Sequence, residues 1–207
     1  MLEDRPVARG RHAPPPEVRL PLQRQRLLQA AAAEFASVGY AGASAESISR
    51  RAGMSKATFY EHFGNKEDCI VALFDRAAEV IGGAMIDAAR AAGGDARLRM
   101  RAGVRAFLAA LAEHPEYGQT LLVEIIGAGP EAARRRDEIL GGFAAVLDAE
   151  NSEAARRGQV RRFASPHDAF AVVGAINELV SRHVRLGEPA DVLELAPVID
   201  RLISGLS

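Results

Sequence analysis

The sequence predicts an all-α chain, and three observations carry that prediction. Apolar residues recur at three- and four-residue spacing through every long segment. Those segments begin at Ser, Asp, Asn or Gly-Pro and end near Gly, as helix termini require. No segment alternates apolar with polar residues as a half-buried strand would. At 207 residues the chain has enough length for one sizeable core, or for one small and one medium core.

In chain order, residues 1–20 carry Arg5, Arg9, Arg11, Arg19 and the run Pro14-Pro15-Pro16, and are expected to form a disordered basic arm. From Pro21 to Val38, the residues Leu27, Leu28, Ala31, Phe35 and Val38 share one helical face. Ser44 is an N-cap with Glu46 in the following first turn, Ile48 and Ala52 stand four apart, and Gly53 supplies a left-handed turn. Ser55 caps the next short helix, in which Phe59 and Phe63 face inward. Gly64 closes it. Asn65 then caps a connector helix running through Leu73 and Val80 toward Ala88, with Gly82-Gly83 as a soft spot.

Gly93-Gly94 ends the connector, and Asp95 opens a helix with Val104, Phe107, Leu108 and Leu111. His114-Pro115-Glu116 restarts a short one through Leu121, Leu122, Val123, Ile125 and Ile126. Gly129-Pro130 starts a long helix past Ile139, Phe143, Val146 and Leu147, stopping near Gly158. Ser165-Pro166-His167-Asp168 is another start, followed by Phe170, Val173, Ile176, Val180 and Val184 up to Gly187. A last helix holds Val192, Leu195, Ile199 and Ile203, with Pro197 kinking it or marking its true start.

The run SAESISRRAGMSKATFYEHFGNK, Ser44 to Lys66, has the order of a helix-turn-helix, whose second helix is the one that enters a DNA major groove. Both lysines of the protein, Lys56 and Lys66, lie inside it. The outward face of the second helix carries Lys56, Thr58, Tyr60, Glu61 and His62. Hydroxyls, a phenol, an imidazole and an ammonium are the groups that meet phosphates and base edges. The apolar pairs alone would equally suit an ordinary helical hairpin. Charge adds a second signal: residues 1–66 hold ten Lys and Arg against six Asp and Glu, although the whole chain has a formal charge of -1.

The run Ile48-Ser49-Arg50-Arg51-Ala52-Gly53-Met54-Ser55-Lys56-Ala57-Thr58-Phe59-Tyr60-Glu61-His62-Phe63, followed by Asn65-Lys66-Glu67, resembles the DNA-binding signature of tetracycline-repressor (TetR) family regulators. The likeness extends back to Leu22–Tyr40, where Phe35, Gly39 and Tyr40 match the end of that family's first helix. Ser49 and Met54 stand where the family has alanine and valine, and both remain compatible with a tight helix crossing.

The resemblance implies an N-terminal three-helix DNA-binding head over residues 21–68. A connector helix would join it to a C-terminal ligand-binding and dimerisation domain over 69–207. It further implies a homodimer that packs its last two helices against their mates and binds palindromic double-stranded DNA, most simply as a repressor. In the head, Ser44, Ser55, Lys56, Ala57, Thr58, Tyr60, His62 and Lys66 are the expected DNA residues, and either Arg24 or Arg26 is expected to reach the DNA backbone. The basic arm would follow phosphates or enter a minor groove, or it has no role.

In the body, relatives that enclose a small molecule imply an effector cavity. Its expected lining is Phe107, Leu111, Leu122, Glu124, Ile126, Phe143, Phe170 and Asn177, and its ligand mainly apolar or amphipathic. Glu124, set among aliphatics, needs a partner, with Arg101 and Arg105 as candidates, or a cationic ligand. Arg134-Arg135-Arg136 reads as a solvated helix face that could also bind an anion.

Other function classes find little support. His12, His62, His114, His167 and His183 show no metal-ligand spacing, and no nucleophile motif or phosphate loop is present, so no enzyme, cofactor or metal is expected. Cys69 lies on an apolar helical face and is expected in the core. The N-terminal residues lack a secretory apolar stretch and no run could span a bilayer, so a cytoplasmic location is expected. Two alternatives stay open: a helical adaptor that uses the basic head on a protein partner, and a constitutive DNA-binding regulator without a ligand.

Overall fold

The computed structural model of the protein describes residues 15–206. Most of the expected arm lies outside those residues, but Pro16 to Leu20 do not belong to an arm: they form the first turns of helix α1 (Pro16–Gly42). Proline is accommodated there because the first helical N–H has no intrahelical partner to lose. The elements that follow are α2 (Ala45–Arg51), α3 (Lys56–His62), α4 (Lys66–Ala91), α5 (Ala96–Glu113) and α6 (Pro115–Gln119). A π-helical turn (Thr120–Glu124), α7 (Pro130–Arg156), α8 (Pro166–Leu186), a 3-10 turn (Val192–Leu195) and α9 (Ala196–Leu206) complete the chain. Among the described residues there is no strand, and no helix is long and apolar enough to cross a membrane.

Local chemistry explains most boundaries. Ser44 and Ser47 form a reciprocal capping box at α2, Ser55 caps α3 through the Thr58 N–H, and Asn65 caps α4 through the Asp68 N–H. Asp95 caps α5, and Ser165 with Asp168 forms a second capping box at α8. Gly82-Gly83 does not interrupt α4, whose packing against α5 holds it helical past that point. Pro197 falls in the first turn of α9, so it marks a start and not a kink.

Three apolar clusters hold the molecule together. The first joins Leu27, Phe35, Ile48, Phe59, Phe63, Cys69 and Phe74 of α1–α4 with Ile125, Ala128 and Ala132. The head therefore shares its core with the turn that precedes α7. The second gathers α4, α5, α8 and the C-terminal turn around Ile81, Leu108, Val180 and Ile199, and the third joins α7 and α8 around Leu147, Phe163 and Val172. Val192, Leu195 and Ile199 are buried inside the monomer, so much of the C-terminal apolar stripe belongs to the chain's own core.

Candidate nucleic-acid interface and interior cavity

The face presented by α3 is polar and accessible because Phe59 and Phe63 anchor the opposite face. Phe59 is fully buried and stacks against Phe63 at 5.3 Å between ring centres. Lys56, Ala57 and Tyr60 consequently point outward, and Tyr60 is 51% exposed, its ring edge-on to Phe59. Lys56 makes none of the ion pairs found among the described residues. Ser44 and Ser55 are exposed at the N-terminal ends of α2 and α3, while the Thr58 hydroxyl lies 3.0 Å from that of Ser55. Ser49, where alanine was the family expectation, is buried and donates to the Ala45 carbonyl at 2.6 Å, which satisfies its hydroxyl within α2.

Two expected DNA residues are otherwise engaged. The Lys66 ammonium donates to the carbonyls of Tyr40 at 2.6 Å and Ala43 at 2.9 Å and sits 4.1 Å from the Tyr40 ring centre. Burial lowers its pKa, yet carbonyls and a ring face are the partners a cation wants. Lys66 thus ties the start of α4 to the end of α1 and does not project as a phosphate contact. His62 is half-buried, its Nε2 enclosed without a hydrogen-bond partner among the described residues, and desolvation holds its pKa below the usual imidazole range. It packs beside Phe63 and is not an open base-reading group.

Three arginines of the head are likewise engaged within it. Arg24 lies over the Phe63 ring at 4.8 Å, and Arg26 donates to the Ala52 carbonyl at the end of α2. Arg51 pairs with the largely buried Glu34 at 2.7 Å, whose pKa is lowered first by that bond. Both arginines that the sequence offered for a backbone contact, Arg24 and Arg26, are thus engaged within the head.

Glu124 is the largest departure from expectation. It points neither into the cavity nor toward Arg101 or Arg105, since Arg101 pairs with Asp200 at 2.6 Å. Its carboxylate accepts the backbone N–H of Tyr40 at 2.5 Å and the side-chain amide of Gln119 at 2.7 Å. Gly39 makes this possible: at φ 72° it breaks the helical path, so the next N–H turns away from the ladder. A β-carbon at Gly39 would stand 3.6 Å from the Glu124 carboxylate. A second carboxylate works the same border. Glu67, in the first turn of α4, accepts the N–H groups of Glu131 and Ala132 at 2.8 and 3.2 Å, capping α7. A β-carbon at Gly129 would overlap the Glu67 carboxylate and force it off this cap.

The cavity, about 180 Å³ in volume, lies between α4, α5, α7 and α8. Phe107, Leu122, Phe143 and Asn177 line it. Leu111 is buried instead in the neighbouring cluster under α5. Ile126 and Phe170 are exposed, at 58% and 48%, and lie outside the cavity. Residues that the sequence did not single out for the lining include Phe74, Met85, Met100, Leu121, Ile176 and Arg136. The two flexible methionines were the readable signal, since they suit an adaptable apolar wall.

The turn Thr120–Glu124 separates cavity from head. Leu121 and Leu122 face the cavity, and Glu124 holds Tyr40. Its π geometry is stabilised by the Ile125 N–H donating to the Thr120 carbonyl and by Ser181 donating to the Leu122 carbonyl at 3.2 Å.

Residues 27–73 match the model of bacterial regulatory proteins of the tetR family. Residues 27–73 are thus a TetR-family DNA-binding domain. A fatty acid metabolism regulator protein of Bacillus subtilis (strain 168) is 24% identical over 184 residues, 87% of this chain and 94% of that protein. The HTH-type transcriptional activator FasR of Mycolicibacterium smegmatis is 36% identical over 108 residues, 51% of this chain and 48% of FasR. The fold is shared with the fatty acid degradation regulator FadR of Bacillus halodurans, with TM-score 0.76, 23% identity and 89% and 96% of the two chains covered. It is shared equally with FadR of Bacillus subtilis in complex with stearoyl-CoA, with TM-score 0.77, 22% identity and 88% and 98% covered. The chain, which carries this TetR-family domain, is accordingly a DNA-binding transcriptional regulator with an N-terminal helix-turn-helix head and a C-terminal helical domain.

Proposed function

We propose that the protein is a homodimeric repressor that grips a palindromic operator through α3 and is released by an acyl-chain effector in the cavity. Residues 21–68 form the DNA-reading head and 69–207 the effector and dimer body. The observation that carries the reading is the π-helical turn: one side lines an apolar cavity, and the other hydrogen-bonds the DNA-binding head. Lys56, Ala57, Thr58 and Tyr60 meet the operator, with Ser44 and Ser55 at phosphates. Exposed Phe170 and Ala171 on α8, with Val198 on α9, provide the self-complementary apolar surface for a two-fold four-helix contact.

An effector that displaces Leu121 and Leu122 moves Glu124, and with it the Tyr40 anchor of the head. Two heads then lose the one-turn spacing that successive major grooves require. Release depends on the effector binding the non-operator conformation more tightly than the operator-bound one. The stearoyl-CoA held by the Bacillus subtilis FadR supports an acyl effector here. The likeness to FasR, an activator, favours a second reading in which the same geometry recruits transcription.

The test is selection of bound sequences from random duplex DNA, followed by titration of stearoyl-CoA against the selected site. A palindrome released by stearoyl-CoA supports the proposal. Failure to enrich any sequence at low and moderate salt favours the adaptor reading, and a palindrome indifferent to acyl-CoA favours a constitutive regulator. A reporter fused to the selected site separates repression from activation.

A further inference from the structure

Among the described residues, the cavity wall holds a single charged one, Arg136. Of its lining only Arg136 and Asn177 are polar, and the rest is aliphatic, aromatic or methionine. Arg136 differs from the two arginines before it. Arg134 pairs with Glu131, and Arg135 bonds Asp75 at 2.6 Å and Glu138 at 2.8 Å, so both are neutralised on the outer face. Arg136 has only Asp137, at 3.9 Å and itself largely exposed, while its Nε is buried with no hydrogen-bond partner among the described residues. A guanidinium N–H enclosed beside an apolar slot is a donor waiting for an acceptor, and its planar fork matches a carboxylate or phosphate.

Its position along the slot is equally informative. α4 and α7 run in parallel here: Glu67 caps the start of α7, Asp75 meets Arg135, and Gly82 faces the Phe143 ring at 3.9 Å from an added β-carbon. Arg136 therefore stands at the end nearest the DNA-binding head, beside Phe74. Met85, Met100 and Leu147 line the other end. From Arg136 to Leu147 the helical rise amounts to about 16 Å, the reach of an extended alkyl chain.

We infer that Arg136 is the headgroup anchor of the cavity, selecting an anionic amphiphile whose charged group sits at the head-proximal end and whose chain runs toward Met85 and Met100. This rests on the acyl-effector reading above and names the group that reading leaves open. The anion is either the carboxylate of a free fatty acid or a phosphate of its CoA thioester, and both offer oxygen acceptors to the same fork.

The experiment is calorimetric titration of the full chain and of Arg136→Gln and Arg136→Lys with three probes: hexadecanoate, hexadecanol and hexadecanoyl-CoA. Circular dichroism melting checks that each variant is folded. The parent is expected to bind at least one anionic probe tenfold or more tightly than hexadecanol. Arg136→Gln should remove that preference with hexadecanol binding unchanged, and Arg136→Lys should retain part of it. Loss confined to hexadecanoate assigns the anion to the carboxylate; loss confined to hexadecanoyl-CoA assigns it to the phosphates. The inference is overturned if the parent binds hexadecanol as well as the anions, or if folded Arg136→Gln keeps the preference. If no probe binds the parent, the acyl-effector reading itself falls.

Discussion

The carboxylate of Glu124 accepts the backbone N–H of Tyr40 at 2.5 Å, across 84 positions of the chain. One partner sits on a π-helical turn whose neighbouring leucines line the cavity. The other begins the link into the helix-turn-helix. The contact thus joins the turn beside the cavity to the end of α1, which makes it the first to test.

Replacing Glu124 with Ala leaves the Tyr40 N–H without its acceptor and should destabilise the fold by about 1–3 kcal/mol. The sharper expectation concerns coupling. Effector binding to Glu124→Ala should stay within a few-fold of the parent, while the effector's influence on operator affinity shrinks. Paired calorimetry and gel-shift titrations measure both quantities, and an unchanged effector response would remove Glu124 from the path.

Lys66→Ala should behave as a folding variant. Its ammonium bridges two carbonyls and a ring within the head, so its loss should lower the melting temperature and cost about 1.5–3 kcal/mol. Operator affinity should fall with it, but the slope of log affinity against log salt should match the parent. A flattened slope would mean that Lys66 meets phosphate after all.

Lys56 and Tyr60 give the opposite pattern, because both are exposed on α3. Lys56→Ala should leave the melting temperature unchanged and reduce the salt slope by about one per head. Tyr60→Ala should weaken the selected site by about 1–3 kcal/mol relative to random DNA. Fluorescence anisotropy at several salt concentrations reads both effects, and parental binding by both variants would displace α3 as the reading helix.

His62 sets a pH dependence. Its folded pKa is lowered, first by desolvation and further by the nearby charges of Arg24 and Arg19, against an opposing contribution from Glu61. The unfolded chain therefore takes up the proton at higher pH than the folded one. Stability should be fully present above the ordinary imidazole value of about 6.5 and decline as pH falls from there through the depressed folded value. His62→Gln should flatten that part of the curve. Thermal melts between pH 5 and pH 8, on the order of half a unit apart, cover the window.

How much of this was legible from residues alone differs between the two halves. In the head, the N-caps Ser44, Ser55 and Asn65 and the Phe59–Phe63 pair act within one turn of themselves, and the helix-turn-helix followed from them. In the body, Leu122 and Ile126 stand four apart and would share a face in an α-helix. The π-helical turn closes its hydrogen bond over five residues, so Leu122 faces the cavity while Ile126 turns to solvent. On α8 the spacing put Phe170, Val173, Ile176, Val180 and Val184 on one face; Val173 and Ile176 line the cavity and Val180 is buried, but Phe170 is exposed while Ala169 and Val172 are buried. Helical periodicity tolerates any of these in the first turns, and packing against α7 decides which are covered.

By itself the sequence determined the all-α class, the capped helix starts from α2 onward and the polar face of α3, because each depends on caps, turns and spacings within a few residues. The tertiary structure alone decided what the isolated charges do. Lys66 became a staple, Glu124 a link between cavity and head, and Arg136 a charged group in an apolar cavity wall. A charged side chain takes its role from whichever acceptor or donor folding brings within about 3 Å, and for these residues that partner, or the space left for one, lies on another helix.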